Sequence, residues 1–204
     1  MRAALILVLL VVRSASAQTT PCDSHEAEEL RAHLTHEQHR ARVWNLAWGI
    51  TFTAAAVGTF AVGYANPVPE LQDGFFVSAG KATIGALGRW VVPLRIEVPP
   101  ATGDACADLA LLRRALRSAA RREKGNFWLN HVGGLLVNGA GAAILWWRGS
   151  PSQGLLSMAT GYPVGVLSNY TAPRASWHRY RERTWSIAVV PRADGWFVSL
   201  GGAL

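Results

Sequence analysis

The residues with chemistry to offer in this 204-residue chain are six histidines, two cysteines and two cations set inside otherwise apolar stretches. His25, His33, His36 and His39 crowd one polar stretch. On a helix, His25, Glu29, His33 and His36 share one face, and imidazole with carboxylate can hold zinc or copper. The HEQH run lacks the spacing that sets two histidines around a catalytic glutamate. A solvated, charge-rich helix accounts for the same residues, so no metal is expected, and a metal-responsive sensor is the weakest of three readings. Lys81 and Arg89 lie in a weakly polar stretch long enough to cross a bilayer. An ionisable residue at membrane depth is a functional candidate by default, either binding an anion or lining a polar path. His131, Asn130 and Asn138 on a second apolar stretch are the candidate companions. The simpler expectation is that Arg89, near a helix end, snorkels to headgroups while Lys81 pairs within the bundle. The chain carries no phosphate-binding loop of the GxxxxGKS type and no convincing nucleophile with its base. Neither a cofactor nor catalysis is expected.

Cys22 and Cys106 stand outside the apolar stretches. An even count in an exported chain favours a disulfide between them over two unrelated thiols. Export itself is read from residues 1–17, where Arg2, an apolar run and Ala15-Ser16-Ala17 have the parts of a cleavable signal peptide.

The elements that must position these groups follow from composition and pattern. Half the residues are apolar and 16% are charged, against about a quarter charged in an ordinary soluble domain. The net charge is +7, but the bases flank apolar segments, so lipid phosphate rather than nucleic acid is the expected partner. Four weakly polar stretches follow the signal. The clearest is 43–64, which would span about 33 Å as a helix. The second is 127–147, with Phe127-Trp128 and Trp146-Trp147 placed as aromatic belts. Residues 74–94 and 154–171 are weaker, and are expected to enter a bilayer only as partners of the strong pair. Two polar helices, 24–42 and 107–124, precede the strong stretches. The first is acid-rich and the second arginine-rich with a stripe of Leu109, Leu112 and Leu116, so the two are expected to lie together, tied by the cysteines.

A shift of 84 residues superposes Cys22 on Cys106, Trp44 on Trp128, Gly49 on Gly133 and Pro67 on Pro151. A shift of 80 then superposes Gly74 on Gly154, Gly85 on Gly165 and Pro93 on Pro173. This reads as an internal duplication, with unit 18–98 (hairpin 43–64/74–94), unit 99–173 (hairpin 127–147/154–171) and a basic tail at 174–204 ending in a β-hairpin around Asp194-Gly195. Gly80, Gly85, Gly88, Gly133, Gly134, Gly139 and Gly141 are expected to allow close helix approach.

The expected fold is therefore mainly α: a membrane-embedded pair of helical hairpins, two polar helices and a C-terminal β-hairpin. The expected role is structural or in assembly within a cell-envelope membrane, as a homo-oligomer or with an envelope partner, with the polar helices and tail on the exported side. The rival is a small transporter or channel component with a polar path near Lys81 and His131. Exported cysteines conflict with the positive-inside rule, because the loop at 65–73 carries two acids and no base.

Overall fold

The computed structural model describes residues 22–192 and 195–202. The expected signal peptide at 1–17 and Asp194 of the tail turn lie outside the described residues. Five helices account for most of the described residues.

Helix α1 runs unbroken over Ser24–Ala65 and α3 over Ala105–Trp147. Each thus fuses a polar helix and an apolar stretch that the pattern reads as separate elements. Nothing at 42–43 stops a helix, and the single Gly125 costs only about 1 kcal/mol, too little to break one. Both starts are capped by aspartate: Asp23 accepts from the His25 amide, and Asp104 from the amides of Cys106 and Ala107. Helix α1 stops before Asn66-Pro67, since a residue preceding proline is pushed out of the helical region. Helix α3 ends in a Schellman turn, with Gly149 at φ 86° and Ser150 N donating to Leu145 O.

Helices α2, Pro69–Trp90, and α4, Pro151–Tyr170, each open on a proline at the first helical position. They begin earlier than the expected 74 and 154, and α2 stops short of 94 because Pro93 forbids helix at its predecessor. Each packs back along the long helix before it. Residues 91–98 instead form an extended strap. Asn45 exchanges two hydrogen bonds with Leu94, Gln38 donates to Ile96 O and Arg122 to Arg95 O. Helix α5, Ala175–Thr184, leads into strands β1, Trp185–Arg192, and β2, Gly195–Gly202, which pair antiparallel with Val189 opposite Val198.

The molecule has two layers of opposite character. In the first, the N-terminal halves of α1 and α3 lie side by side with the strap. Leu30, Leu34, Ile96, Leu109, Leu112 and Leu116 form a buried core there. Arg113 pairs with Glu26 and Arg31 with Asp108 across the two helices. Cys22 and Cys106 stand at disulfide distance, Cα to Cα 5.1 Å. In the second layer, built from 43–65, α2, 127–147 and α4, large apolar side chains point outward. Leu129 is 69% and Trp147 90% exposed, alongside Ile50, Val57, Phe60, Ile84, Leu136 and Leu155. Asn45, Arg89, Asn138, Ser157, Ser168 and Asn169 are buried instead.

Of the described helices, one, Ser24–Ala65, is long and apolar enough by itself to cross a membrane. The expected second clear span, 127–147, is less apolar than its aromatic ends suggest, because Asn130, His131, Asn138 and four glycines dilute it. Equal environments in the two long helices fall 82 residues apart rather than 84: Leu30 with Leu112, Leu34 with Leu116, and the helix-opening Pro69 with Pro151. At 84, buried Trp44 would match exposed Trp128.

Candidate functional site

The cations of α2 set the chemistry of the second layer's interior. Lys81 and Arg89 are eight residues apart, so they stack about 12 Å from one another along one face of the helix. Lys81 Nζ donates to Asn138 Oδ1 (3.2 Å), Ser157 O (2.8 Å) and Ser157 Oγ (2.7 Å). Three acceptors from α3 and α4 thus meet the three hydrogens of one ammonium. The surroundings are tight. A Cβ on Gly141 would stand 2.9 Å from Lys81 Cδ, and one on Gly161 2.9 Å from Lys81 Nζ. Lys81 is therefore a pin between three helices, paired within the bundle.

Arg89 does not snorkel. It is only 7% exposed and turns inward, its guanidinium 4.1 Å from the centre of the Trp44 ring. Nη2 donates to Ser168 Oγ at 3.1 Å and Nη1 to Asn130 Oδ1 at 3.4 Å. Trp44 Nε1 in turn donates to Ser168 O. The reason lies in α4, whose Ser168 presents a hydroxyl and a carbonyl to the same spot. Nearby, Asn169 donates to Phe127 O and lies against His131 Nδ1. Asn169 is fully buried, so the sequon Asn169-Tyr170-Thr171 offers no accessible acceptor. Of the expected polar path, then, Lys81 meets Asn138 directly, while Arg89 and His131 belong to a separate cluster. Ser157 and Ser168 are the partners that sequence reasoning misses. Their signal was the small-residue spacing of Gly154, Ser157, Gly161 and Ser168 along one face of α4.

A second polar centre lies in the first layer. Glu37 of α1 is 0% and Glu123 of α3 1% exposed. Arg40 Nη1 donates to Glu37 Oε1 at 2.9 Å, and the Trp177 amide donates to Glu123 Oε2 at 2.8 Å. Glu123 thereby receives the first turn of α5, whose Ser176 also bonds His33 Nε2 at 3.3 Å. Glu37 Oε2 and Glu123 Oε1 are enclosed without a partner. Burial pushes the Glu123 carboxyl up to about 7; hydrogen bonds from Trp177 and Ser176 act against that rise, and the Glu37 charge adds to it.

The metal candidates are not gathered. His25 pairs with Glu29, His33 turns to Ser176, and His36 is exposed. Among the described residues no group of three or more His, Cys, Asp or Glu is placed to hold a metal ion. A cleft of about 330 Å³ runs between the strap and α3, walled by Pro99, Pro100, Leu111 and Ala115 and closed by the Arg122–Glu97 pair at 2.9 Å. Its polar groups already serve each other.

No protein-family model, curated protein or solved structure matches this chain.

Proposed function

We propose that this protein is an exported, membrane-embedded component of a cell envelope with a structural or assembly role. In this reading the second layer lies in the bilayer as two helical hairpins. The disulfide-tied first layer, α5 and the tail stand on the exported side. The observation that carries it is the inverted polarity of the second layer: apolar side chains outside, charges and amides inside. In water, so continuous an apolar surface would be an aggregation hazard. In lipid, it is the natural outer face, and the buried amides serve as interhelical glue. Exposed aromatic residues occur towards both ends of this layer, Trp90 and Trp128 at one, Tyr64, Trp146 and Trp147 at the other. Trp128 and Trp146 are 18 residues apart, about 27 Å along a helix, close to the thickness of a hydrocarbon core. At the far end Arg148 pairs with Asp73 at 2.7 Å, which reduces the charge mismatch of the hairpin loops.

A structural role is favoured over transport because the Lys81 ammonium is fully engaged by Asn138 and Ser157 and closely packed. Carbonate washing of membranes tests location: the mature chain should stay in the pellet and need detergent for release. Side-specific thiol labelling of Cys22 and Cys106 in intact cells, with and without reductant, tests orientation. Reconstituted protein should carry no saturable anion flux; flux abolished by Lys81→Ala with insertion intact would overturn the structural role in favour of transport.

A further inference from the structure

We propose that Arg89 and Asn130 form a binding site for a phosphate-class oxyanion, a lipid phosphodiester or inorganic phosphate. Buried cations in proteins are paired, because an uncompensated charge away from water is costly. Arg89 is buried, yet among the described residues no carboxylate lies within ion-pair distance of it. Its hydrogen bonds go to two neutral side chains, and its Nε is enclosed with no partner. Lys81, two turns away on the same helix face, has all its donors answered; Arg89 does not.

Asn130 repeats the pattern. Its Oδ1 accepts from Arg89, so its Nδ2 faces away and is enclosed without an acceptor. Turning the amide over would set its donors against the guanidinium. Asn126, one helical turn earlier, carries another enclosed and unpartnered Nδ2. A positive charge without a carboxylate and several N–H donors still unanswered among the described residues describe a site for an anion. A tetrahedral oxyanion offers several acceptor oxygens at once and matches the planar guanidinium fork. The depth also fits. Arg89 stacks on Trp44, two residues beyond Arg42, the last charge of α1 before its apolar half. That is headgroup level if the second layer is embedded. The lipid source rests on the membrane reading; the inorganic source does not.

The test uses the full mature chain in dodecyl maltoside, titrated separately with inorganic phosphate and with phosphatidylglycerol, following Tm by tryptophan fluorescence and the phosphorus-31 line width. The wild type should gain on the order of 5–10 °C at a hundredfold excess over the dissociation constant, with a broadened phosphorus line. Asn130→Asp sets a carboxylate beside the guanidinium. It should raise Tm without ligand and abolish the response. Arg89→Lys keeps the charge but loses the fork, and should weaken binding by about tenfold. A response to inorganic phosphate alone supports the site with a free anion. A response to phosphatidylglycerol supports it with a lipid headgroup. The proposal fails if neither probe moves Tm or the phosphorus line, or if Asn130→Asp responds like the wild type. That last comparison decides the matter even where Arg89→Lys does not fold. Carbonate washing tests the membrane reading independently of all these outcomes.

Discussion

A carboxyl withdrawn from water holds its proton to higher pH, and Glu123 does so under the first turn of α5. Its folded value of about 7 lies above the ordinary 4.5. The protonated form therefore favours the fold: the contribution is complete below about 4.5 and is lost as pH rises through 7. The shift corresponds to stability on the order of 3 kcal/mol. Tm should accordingly fall by several degrees between pH 5 and pH 8. Glu123→Gln should flatten that slope, because the amide keeps the shape, accepts from Trp177 and can donate to Glu37, whose Oε2 lacks a donor. An unchanged slope in that variant would place the titration elsewhere. None of this was legible in the sequence, where neither Glu37 nor Glu123 stands out from the charges around it. Burial is decided by which turns of α1, α3 and α5 meet, and each helix alone has polar residues on several sides. Arg89 fails for the same reason, since snorkelling presumes a free headgroup side while Trp44 and Ser168 offer the guanidinium an inward seat.

At the scale of elements, glycine composition announces close packing without saying where it occurs. A Cβ on Gly154 would stand 2.7 Å from the carbonyl oxygen of Ala142, which is backbone and cannot rotate away. Gly154→Ala must therefore push α3 and α4 apart, at a cost of about 1–3 kcal/mol. Gly139, by contrast, has open space where a Cβ would go. Gly139→Ala should be neutral or stabilise by up to about 1 kcal/mol through helix propensity. Thermal unfolding of the two variants in one detergent checks the contrast; equal effects would mean that the α3–α4 approach is not set at Gly154. Of the seven glycines expected to admit a neighbouring helix, Gly85 and Gly141 meet one, while Gly80, Gly88, Gly133, Gly134 and Gly139 face open space. The pattern showed small residues; the rotation of each helix decided which of them point inward. The starts of the two long helices, expected at 24 and 107, were more legible and fall at Ser24 and Ala105, whereas the opening prolines Pro69 and Pro151 set starts earlier than the apolar pattern suggests. Continuity through residues 42–43 and 124–127 was not legible, since a change from polar to apolar does not interrupt backbone hydrogen bonding.

At the scale of the molecule, one cross-link joins the starts of the two long helices. Cys22 and Cys106 are 84 residues apart, and closing so long a loop stabilises by about 4–5 kcal/mol in the chain-entropy model. The double change of Cys22→Ser with Cys106→Ser should lower Tm by about 10 °C or more at fixed pH. The ion pairs Arg113–Glu26 and Arg31–Asp108 will not compensate, since the second is long at 3.5 Å and surface pairs contribute about 0–1 kcal/mol each. An unchanged Tm would mean that the first layer's leucine core holds the helix starts together unaided. By itself the sequence determined what depends on near neighbours and composition: helical character, the stripe Leu109/Leu112/Leu116, the starts of the two long helices, and the pairing of the two cysteines. Tertiary structure alone decided where the ionisable groups face. Lys81 became a satisfied pin, Arg89 a buried cation without a counter-charge among the described residues, and Glu123 a carboxyl that keeps its proton near neutrality. The physical reason is that desolvation and hydrogen bonding act over a few ångströms in space, between residues such as Arg89 and Ser168 that are 79 positions apart in the chain.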